Sequence, residues 1–157
     1  MNPVITPELA FAFEACVDIA PTEHVGHAGG AALGFTPITG GTVAGPRLNG
    51  TVIPGGGDWA IERRGVAVDL DARYLIRADD GAVIDIVNRG FWVASPEVDA
   101  AAEAGEWVDP SMYYFRTQPV FRTDAPQHAW LTHTVFVGMA YDDAETHQIR
   151  IQFFEVK

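Results

Sequence analysis

Alternation of apolar and polar residues with a period of two runs through most of this chain, and it constrains the fold more than any other feature. The clearest case is a pair of segments, residues 66–78 and 82–93, that flank Asp79-Asp80-Gly81. An Asp-Gly pair between two alternating segments is the strongest short-range signal for a β-hairpin, because glycine adopts a positive φ without a Cβ clash. Segments with a helical period are nearly absent. The sequence therefore predicts an antiparallel, all-β protein.

Turn residues divide the rest of the chain into further strand segments. The other predicted strands are residues 9–18, 35–38, 42–53, 58–62, 112–122, 129–140 and 147–156, and the segment 42–53 is expected to bend where Gly45-Pro46 interrupts it. Glycine clusters at positions 40–41 and 55–57 are interpreted as breaks, bends or bulges at the corners of a barrel. Residues 95–105 favour a short helix, with Ser95 as its cap and Pro96 in its first turn.

Eight or nine strands joined by short connections, with no βαβ unit, predict a single domain over residues 1–157. A sheet of this length hides its edges best by closing on itself. We therefore expect a closed or nearly closed antiparallel barrel of about eight to nine strands, similar in architecture to lipocalins and allene oxide cyclases, with at most one or two short helices. The interior of such a barrel is filled by side chains or holds one small ligand.

The charge and the reactive residues of the chain restrict the partners and the types of chemistry to be expected. A formal net charge of −11 repels the phosphates of nucleic acids and of anionic lipid surfaces, so we expect neither as a partner. Lys157 is the single lysine, which argues against Schiff-base chemistry through an interior lysine. Cys16 is the single cysteine, and the first residues lack the basic start of a secretory signal. We therefore expect a cytoplasmic protein with a buried, inert thiol.

Several motifs resemble those of one protein family. The most specific run lies at residues 37–59 and has the sequence PITGGTVAGPRLNGTVIPGGGDW. Shorter matches follow in the same order at Ala72-Arg73-Tyr74, Asp80-Gly81-Ala82, Asn88-Arg89-Gly90, Tyr114-Phe115-Arg116 and Trp130-Leu131. Over nearly the whole chain they resemble the small-barrel family of domain of unknown function 3237, also known as uncharacterised protein family 0311. The resemblance implies an antiparallel barrel, often dimeric or larger, with mostly unassigned chemistry.

The sequence departs from this family's pattern at two places. Before the strand that begins at Pro37 the family usually has Arg, where this chain has Ala31-Ala32-Leu33-Gly34. After Trp130-Leu131 the family usually has Asn, where this chain has Thr132. Both differences are expected to make the cavity less polar, so an anionic substrate is not carried over from the family.

Asp58 and Trp59 are the first candidates for a functional site. They follow a three-glycine turn, and loops at a barrel mouth commonly carry functional groups. The Asp58 carboxyl group would transfer a proton, while the Trp59 indole would stack on the substrate and raise the pKa of that carboxyl group. The structural alternative is that Asp58 caps a turn beside a core tryptophan.

The strand that begins at residue 66 has one charged face, with Asp69 and Arg73, and one apolar face, with Tyr74. The favoured interpretation is that the charged face is solvated and that Tyr74 points inward. The alternative places Arg73 inside the barrel beside an aspartate or a ligand, because an unpaired interior charge is costly. In that case Asp69 and Arg73 belong to the site.

Two later segments supply further polar candidates. Tyr114 and Arg116 share one face of segment 112–122. They would either bind an oxygen-bearing substrate in the cavity or lie on a solvent-exposed outer surface. Trp130 and Thr132 share a face of segment 129–140. Aromatic and hydroxyl groups together are typical of a cavity lining, and the alternative is a mixed core.

Signals for metals and cofactors are weak. Of the five histidines, only His24 and His27 lie close together, and none has the spacing of a known zinc motif. The glycine clusters do not lead into a helix, and a phosphate site needs the amide groups at a helix start. We therefore predict neither a metal nor a cofactor.

These observations favour a cofactor-independent enzyme of the lyase or isomerase type that acts on a small aromatic, phenolic or otherwise apolar molecule. Elimination, decarboxylation and isomerisation need only proton transfer and charge stabilisation. The residues predicted to carry the chemistry are Asp58, Tyr114, Arg116 and Arg73. The residues predicted to bind the substrate are Trp59, Tyr74, Trp130, Thr132 and Asp69. The alternatives are a non-catalytic small-molecule-binding barrel and a structural oligomer with a packed interior.

We further predict a homodimer or larger assembly. Phe91, Trp92 and Trp107 surround an Ala-rich insert, and so much aromatic surface on a peripheral segment commonly marks an interface. Light scattering at micromolar concentration should give a multiple of the monomer mass, and a monomer mass would contradict the prediction.

Overall fold

Nine antiparallel strands form the body of this protein. The structure is a computed structural model that describes residues 1–157, except for the side chain at position 28. The strands are β1 (Leu9–Ile19), β2 (Glu23–Ala28), β3 (Ala31–Ala44), β4 (Gly50–Arg63), β5 (Ala67–Ala78), β6 (Val83–Val93), β7 (Tyr114–Arg122), β8 (Phe136–Asp143) and β9 (Gln148–Val156). One α-helix, α1 (Pro96–Glu103), and two 3₁₀ segments, Pro110–Met112 and Pro126–His133, complete the described chain.

The sheet closes on itself. Its strands follow the order β1-β9-β8-β7-β6-β5-β4-β3, and β1 then pairs with the second half of β3. Strand β2 is an extra strand that pairs with the first half of β3, beyond the point where β1 ends. Eight strands therefore make a closed antiparallel barrel, which confirms the predicted fold class. No helix of the described chain is long and apolar enough to cross a bilayer.

The hairpin predicted around Asp80-Gly81 is confirmed. Gly81 adopts a φ of 91°, and the Asp80 carboxylate accepts a hydrogen bond from the backbone N–H of Ala82 at 3.0 Å. Strands β5 and β6 then pair without a register shift from Arg77 and Val83 to the far end of the hairpin. This uninterrupted pairing decides which side chains of both strands face the barrel interior.

The glycine-rich stretch differs from the predicted strands. The predicted strand 42–53 is divided between β3 and β4. The bend expected at Gly45-Pro46 is a full turn over residues 45–49, where the Asn49 amide bonds the backbone of Gly45. The predicted loop 54–57 lies inside β4. Register shifts between Ile38 and Thr42 and between Ile53 and Gly57 mark bulges, as expected for glycines at barrel corners.

The strand predicted over residues 129–140 begins later than expected. Residues 126–133 are a 3₁₀ segment, and β8 starts at Phe136. The Thr132 and Thr134 hydroxyls donate to the carbonyl oxygens of Ala129 and Trp130, both at 2.7 Å. These local bonds satisfy backbone groups that a strand ladder would otherwise use. The predicted helix is confirmed, since the Ser95 hydroxyl accepts from the N–H of Val98 at the start of α1.

The two ends of the barrel are packed differently. At one end, phenylalanine side chains fill the interior, with ring centroids 5.0–5.9 Å apart. They are Phe13, Phe121, Phe136 and Phe153. At the other end, the inward-facing side chains leave a cavity, and side chains of α1 border it. The hydrophobic core therefore lies at the closed end and leaves room at the other.

Gly41 provides a test of barrel closure. It pairs with Val17 where β1 meets β3, its φ is 141°, and a Cβ atom there would overlap the carbonyl oxygen of Cys16. Gly41→Ala should lower the free energy of unfolding by about 3 kcal/mol, because backbone strain and overpacking add. Gly29→Ala is the matched control, since its φ is also positive but open space surrounds it; it should cost about 1 kcal/mol. Equal losses in urea denaturation would contradict the prediction.

Candidate active site

A cavity of about 370 Å³ occupies the open end of the barrel. Its walls are largely apolar, and residues from β1, β3, β5, β7 and β9 contribute to them. They include Val17, Ile38, Leu70, Phe115 and Ile151. A cavity of this size, mostly apolar with a few polar groups, is typical of a site for one small organic molecule.

Asp58 is the carboxyl group placed deepest in this wall. It lies on β4 opposite Ala72 of β5 and lines the cavity. Its Oδ1 accepts a hydrogen bond from the backbone N–H of Asp71 at 2.8 Å, and Oδ2 has no partner among the described residues. Burial raises the pKa of Asp58 from 3.8 to about 6, and the neighbouring Asp71 carboxylate adds to the rise while the hydrogen bond opposes it. The group is therefore able to give up or accept a proton near neutral pH.

Three polar side chains form a second feature of the cavity, which we name the polar wall: Tyr74, Asn88 and Thr117. All three line the cavity and are buried, with 3–4% of each residue exposed. Tyr74 Oη, Asn88 Oδ1 and Thr117 Oγ1 make no hydrogen bond to any described residue. The fourth such atom in the described chain, His128 Nδ1, lies outside the cavity. Buried polar atoms are normally paired, so three orphans on one wall point to a ligand site.

The opening of the cavity carries acidic groups, which we name the acidic rim: Glu62, Asp99, Glu103 and Asp142. Asp99 accepts a hydrogen bond from Trp92 Nε1 at 2.7 Å, and burial raises the pKa of Asp142, helped by the nearby Asp143. No Lys, Arg or His of the described chain lines the cavity. The electrostatic potential at the opening is therefore negative.

Comparison with known proteins assigns the chain to a family. A family model described as a protein of unknown function, DUF3237, matches residues 7–156. The chain belongs to the DUF3237 family. It is similar to a UPF0311 protein of Clostridium acetobutylicum, with 46% identity over 104 residues and 66% of each chain covered. It is also similar to the crystal structure of a conserved protein of unknown function from Rhodopseudomonas palustris, with a TM-score of 0.90, 35% identity and full coverage of both chains.

One relative of this DUF3237 chain has a described activity. The hydroalkoxylation enzyme of Penicillium herquei is 32% identical over 109 residues, which cover 66% of this chain and 69% of the enzyme. A crystal structure of an enzyme from Penicillium herquei has a TM-score of 0.75 at 22% identity, with full coverage of both chains. At that identity the structural match shows a shared fold alone.

In the DUF3237 barrel, two of the predicted site residues line the cavity. Asp58 and Tyr74 both face it, and their roles stay predictions. Trp59 faces outward, is 48% exposed and packs against Phe35 with ring centroids 4.7 Å apart. Successive residues of a strand point to opposite faces, so Trp59 is not the group that raises the pKa of Asp58.

The charged candidates lie on the outer surface. Arg73 bonds Asp85 at 3.4 Å, and Asp69 bonds Arg63 at 2.8 Å. The solvated-face interpretation of this strand is therefore correct, and the alternative that placed Arg73 and Asp69 in the interior is wrong. Such exposed ion pairs contribute about 0–1 kcal/mol.

Tyr114 and Arg116 also point away from the cavity. Tyr114 is 51% exposed, and the Arg116 guanidinium lies 5.3 Å from the centre of its ring. Arg116 donates a hydrogen bond to the carbonyl oxygen of Phe115. The residues that alternate with them, Phe115 and Thr117, line the cavity instead.

Trp130 and Thr132 lie in the 3₁₀ segment and not in the cavity. Trp130 stacks under the Arg47 guanidinium at 3.7 Å and packs on Phe136 at the closed end of the barrel. Thr132 is exposed. The departure from the family pattern at Thr132 therefore leaves the cavity unchanged, and the same holds for residues 31–34, none of which lines it.

Several cavity residues were missed or assigned elsewhere by the sequence analysis. Trp92 was expected at an interface, but it stacks on Tyr113 at 4.3 Å and lines the cavity. Asn88 and Thr117 were not proposed. The signal was available for Asn88, because the Asp80-Gly81 hairpin fixes a register that places it opposite Ala72, on the face shared with Ile84 and Ile86. Among the described residues, no cluster of three or more His, Cys, Asp or Glu side chains is arranged to hold a metal.

The raised pKa of Asp58 has a consequence for stability. A carboxyl group whose pKa is higher in the folded state favours folding most at acidic pH, and this contribution is lost as pH rises through about 6. Asp58→Asn should therefore raise the free energy of unfolding near neutral pH, by at most about 3 kcal/mol, since one pKa unit corresponds to about 1.4 kcal/mol. The gain should vanish at about pH 4.

Asp69→Asn is the matched control, because Asp69 is an exposed partner of Arg63. Its stability change should not follow the same pH dependence. Urea denaturation of the three proteins at both pH values measures the effect. A loss of about 1 kcal/mol in Asp58→Asn, as expected for a removed cap, would contradict the prediction.

Proposed function

We propose that this protein is an enzyme that transfers a proton to a small, neutral, largely apolar aromatic or phenolic molecule, with Asp58 as the proton-transfer group. The observation that carries the proposal is a buried carboxyl group with a pKa raised to about 6 in the wall of an apolar cavity. General acids and bases are most effective when their pKa lies near the working pH. A carboxyl group that served only structure gains nothing from this position, because its burial opposes folding near neutral pH.

The charges around the cavity favour protonation of the substrate over removal of a proton from it. Protonation of one carbon of a double bond leaves positive charge on the neighbouring carbon, and the acidic rim and the aromatic faces of Trp92, Phe115 and Tyr74 stabilise positive charge. The two arginines that were predicted to carry part of the chemistry, Arg73 and Arg116, lie outside the cavity. We therefore propose acid catalysis on an alkene or another electron-rich carbon.

Addition of a hydroxyl group across a carbon–carbon double bond fits this site and matches the described activity of the Penicillium herquei relative. Asp58 gives its proton to one alkene carbon, and the hydroxyl oxygen forms a bond to the other. The hydroxyl proton then returns to the Asp58 carboxylate, so the enzyme is restored and no oxidant or reductant is consumed. When both groups belong to one molecule, the product is a cyclic ether and the reaction is an isomerisation.

An ortho-alkenyl phenol that cyclises to its ether is a suitable test substrate. Asp58→Asn should lose about 100-fold or more in kcat and still bind the substrate, because shape and most hydrogen bonds are kept. Asp69→Asn, on the outer face, should keep full activity. Chromatography of the ether product measures turnover, and isothermal titration measures binding.

The pH profile tests the direction of proton transfer. If Asp58 acts first as an acid, kcat/KM should be constant at low pH and fall about tenfold per unit above pH 6. A profile that rises through pH 6 would show that Asp58 starts as a base. Binding without turnover in the unmodified protein, or full activity in Asp58→Asn, would favour a non-catalytic binding barrel or another catalytic residue.

A further inference from the structure

The polar wall and Asp58 lie side by side in the sheet. Ala72 on β5 pairs with Asp58 on β4 and with Asn88 on β6, so the three residues form one row across three strands. Thr117 pairs with Gly90, two residues from Asn88 on the same face. Ala72 carries only a methyl group and lines the cavity, which leaves space in front of the sheet between Asp58 and Asn88.

We propose that the polar wall binds a neutral hydroxyl or carbonyl oxygen of the aromatic substrate and thereby holds the substrate's reacting carbon against Asp58. This inference rests on the proposed function and adds to it the substrate group that is recognised and the residues that recognise it. Asn88 and Thr117 are positioning and specificity residues here, and Asp58 remains the group that transfers the proton.

The chemistry of the three side chains suits a neutral oxygen. A threonine hydroxyl and an asparagine amide each both donate and accept hydrogen bonds. Tyr74 Oη keeps its proton, because burial raises its pKa far above the physiological range, and it therefore also donates. A phenolic hydroxyl or a ketone oxygen is able to pair with such a set, and the pairing relieves the cost of leaving buried polar atoms without partners.

An anionic oxygen does not suit the same wall. No Lys, Arg or His of the described chain lines the cavity, and the acidic rim lies at its opening. A carboxylate or phosphate would lose its hydration without gaining a counter-charge, which is costly in a low-dielectric site. The wall should therefore select neutral oxygen-bearing rings over both apolar rings and anionic ones.

The spacing of the row fits a flat ring. Neighbouring strands lie about 4.8 Å apart, so the backbones of Asp58 and Asn88 are about 10 Å apart with Ala72 between them. An aromatic ring above Ala72 reaches the polar wall with an oxygen on one edge and Asp58 with a carbon on the opposite edge. The oxygen recognised by the polar wall is therefore a second oxygen, on the side of the substrate opposite the reacting carbon and the hydroxyl group that adds to the double bond.

Three test compounds of similar shape distinguish a preference for neutral oxygen-bearing, apolar or anionic rings: 2-naphthol, naphthalene and 2-naphthoate. Isothermal titration at neutral pH should show that the unmodified protein binds 2-naphthol about tenfold more tightly than naphthalene, the value expected for one satisfied buried hydrogen bond. It should bind 2-naphthoate at least about tenfold more weakly than 2-naphthol.

Thr117→Val and Asn88→Leu keep the side-chain size and remove the polar atoms, so each should reduce the preference for 2-naphthol to about threefold or less. Thr36→Val is the matched control, because Thr36 also lines the cavity but its hydroxyl is already paired with Thr22 at 2.7 Å. It should leave the preference unchanged.

Asp58→Asn distinguishes this inference from the proposed function, since it should keep the preference while losing turnover. Equal affinity for 2-naphthol and naphthalene, no binding of 2-naphthol, or an unchanged preference in both Thr117→Val and Asn88→Leu overturns the inference and leaves the role of Asp58 standing. A clear preference together with full activity of Asp58→Asn overturns the proposed function and leaves the polar wall standing.

Discussion

The pairing of β1 with β3 is the interaction on which the interior of this protein depends. It joins the two ends of the sheet, so every strand of the barrel presents one fixed face to a single enclosed volume. Side-chain size then decides how that volume is used. Phenylalanines fill one end, whereas the other end holds a cavity with small residues such as Ala72 in its wall. The cavity is lined mainly by strand residues, and side chains of α1 border it.

This construction lowers stability at the site. Each buried polar atom without a partner costs about 1–3 kcal/mol, and the polar wall has three of them in one cavity. The burial that raises the pKa of Asp58 also opposes folding near neutral pH. The net stability of a domain is only about 5–15 kcal/mol, so these costs are a large fraction of it. These costs are offset by the phenylalanine cluster at the closed end and by the uninterrupted pairing of β5 with β6. The closed end therefore contributes stability, whereas the end with the cavity lowers it.

The sequence predicted local features well and long-range ones less well. The Asp80-Gly81 turn fixed the register of β5 and β6, and with it the inward direction of Tyr74. The same reasoning, continued along β6, would have found Asn88. The glycines at 40–41 and 55–57 did not show whether a strand ends there or continues through a bulge. A glycine permits both, and the pairing with the neighbouring strand determines which one forms. Treating 54–57 as a loop then made it reasonable to place Asp58 and Trp59 in one site. Inside a continuous strand, neighbours face opposite sides, and only one of them is able to line the cavity.

The charges of this acidic chain are also divided between inside and outside. Three arginines on the outer faces of β5 to β7 are paired with aspartates: Arg73 and Arg122 with Asp85, and Arg89 with Asp71. The carboxylates of the acidic rim form no ion pair with a described residue, and they lie at the opening of the cavity. The paired charges on the outer surface largely cancel each other, so they contribute little to the electrostatic potential in the cavity. The unpaired carboxylates of the acidic rim therefore dominate the potential there. A molecule with negative charge is repelled before it reaches Asp58, whereas a positive charge that develops inside is stabilised. Under the proposed function, substrate selection and stabilisation of the transition state would both come from these carboxylates.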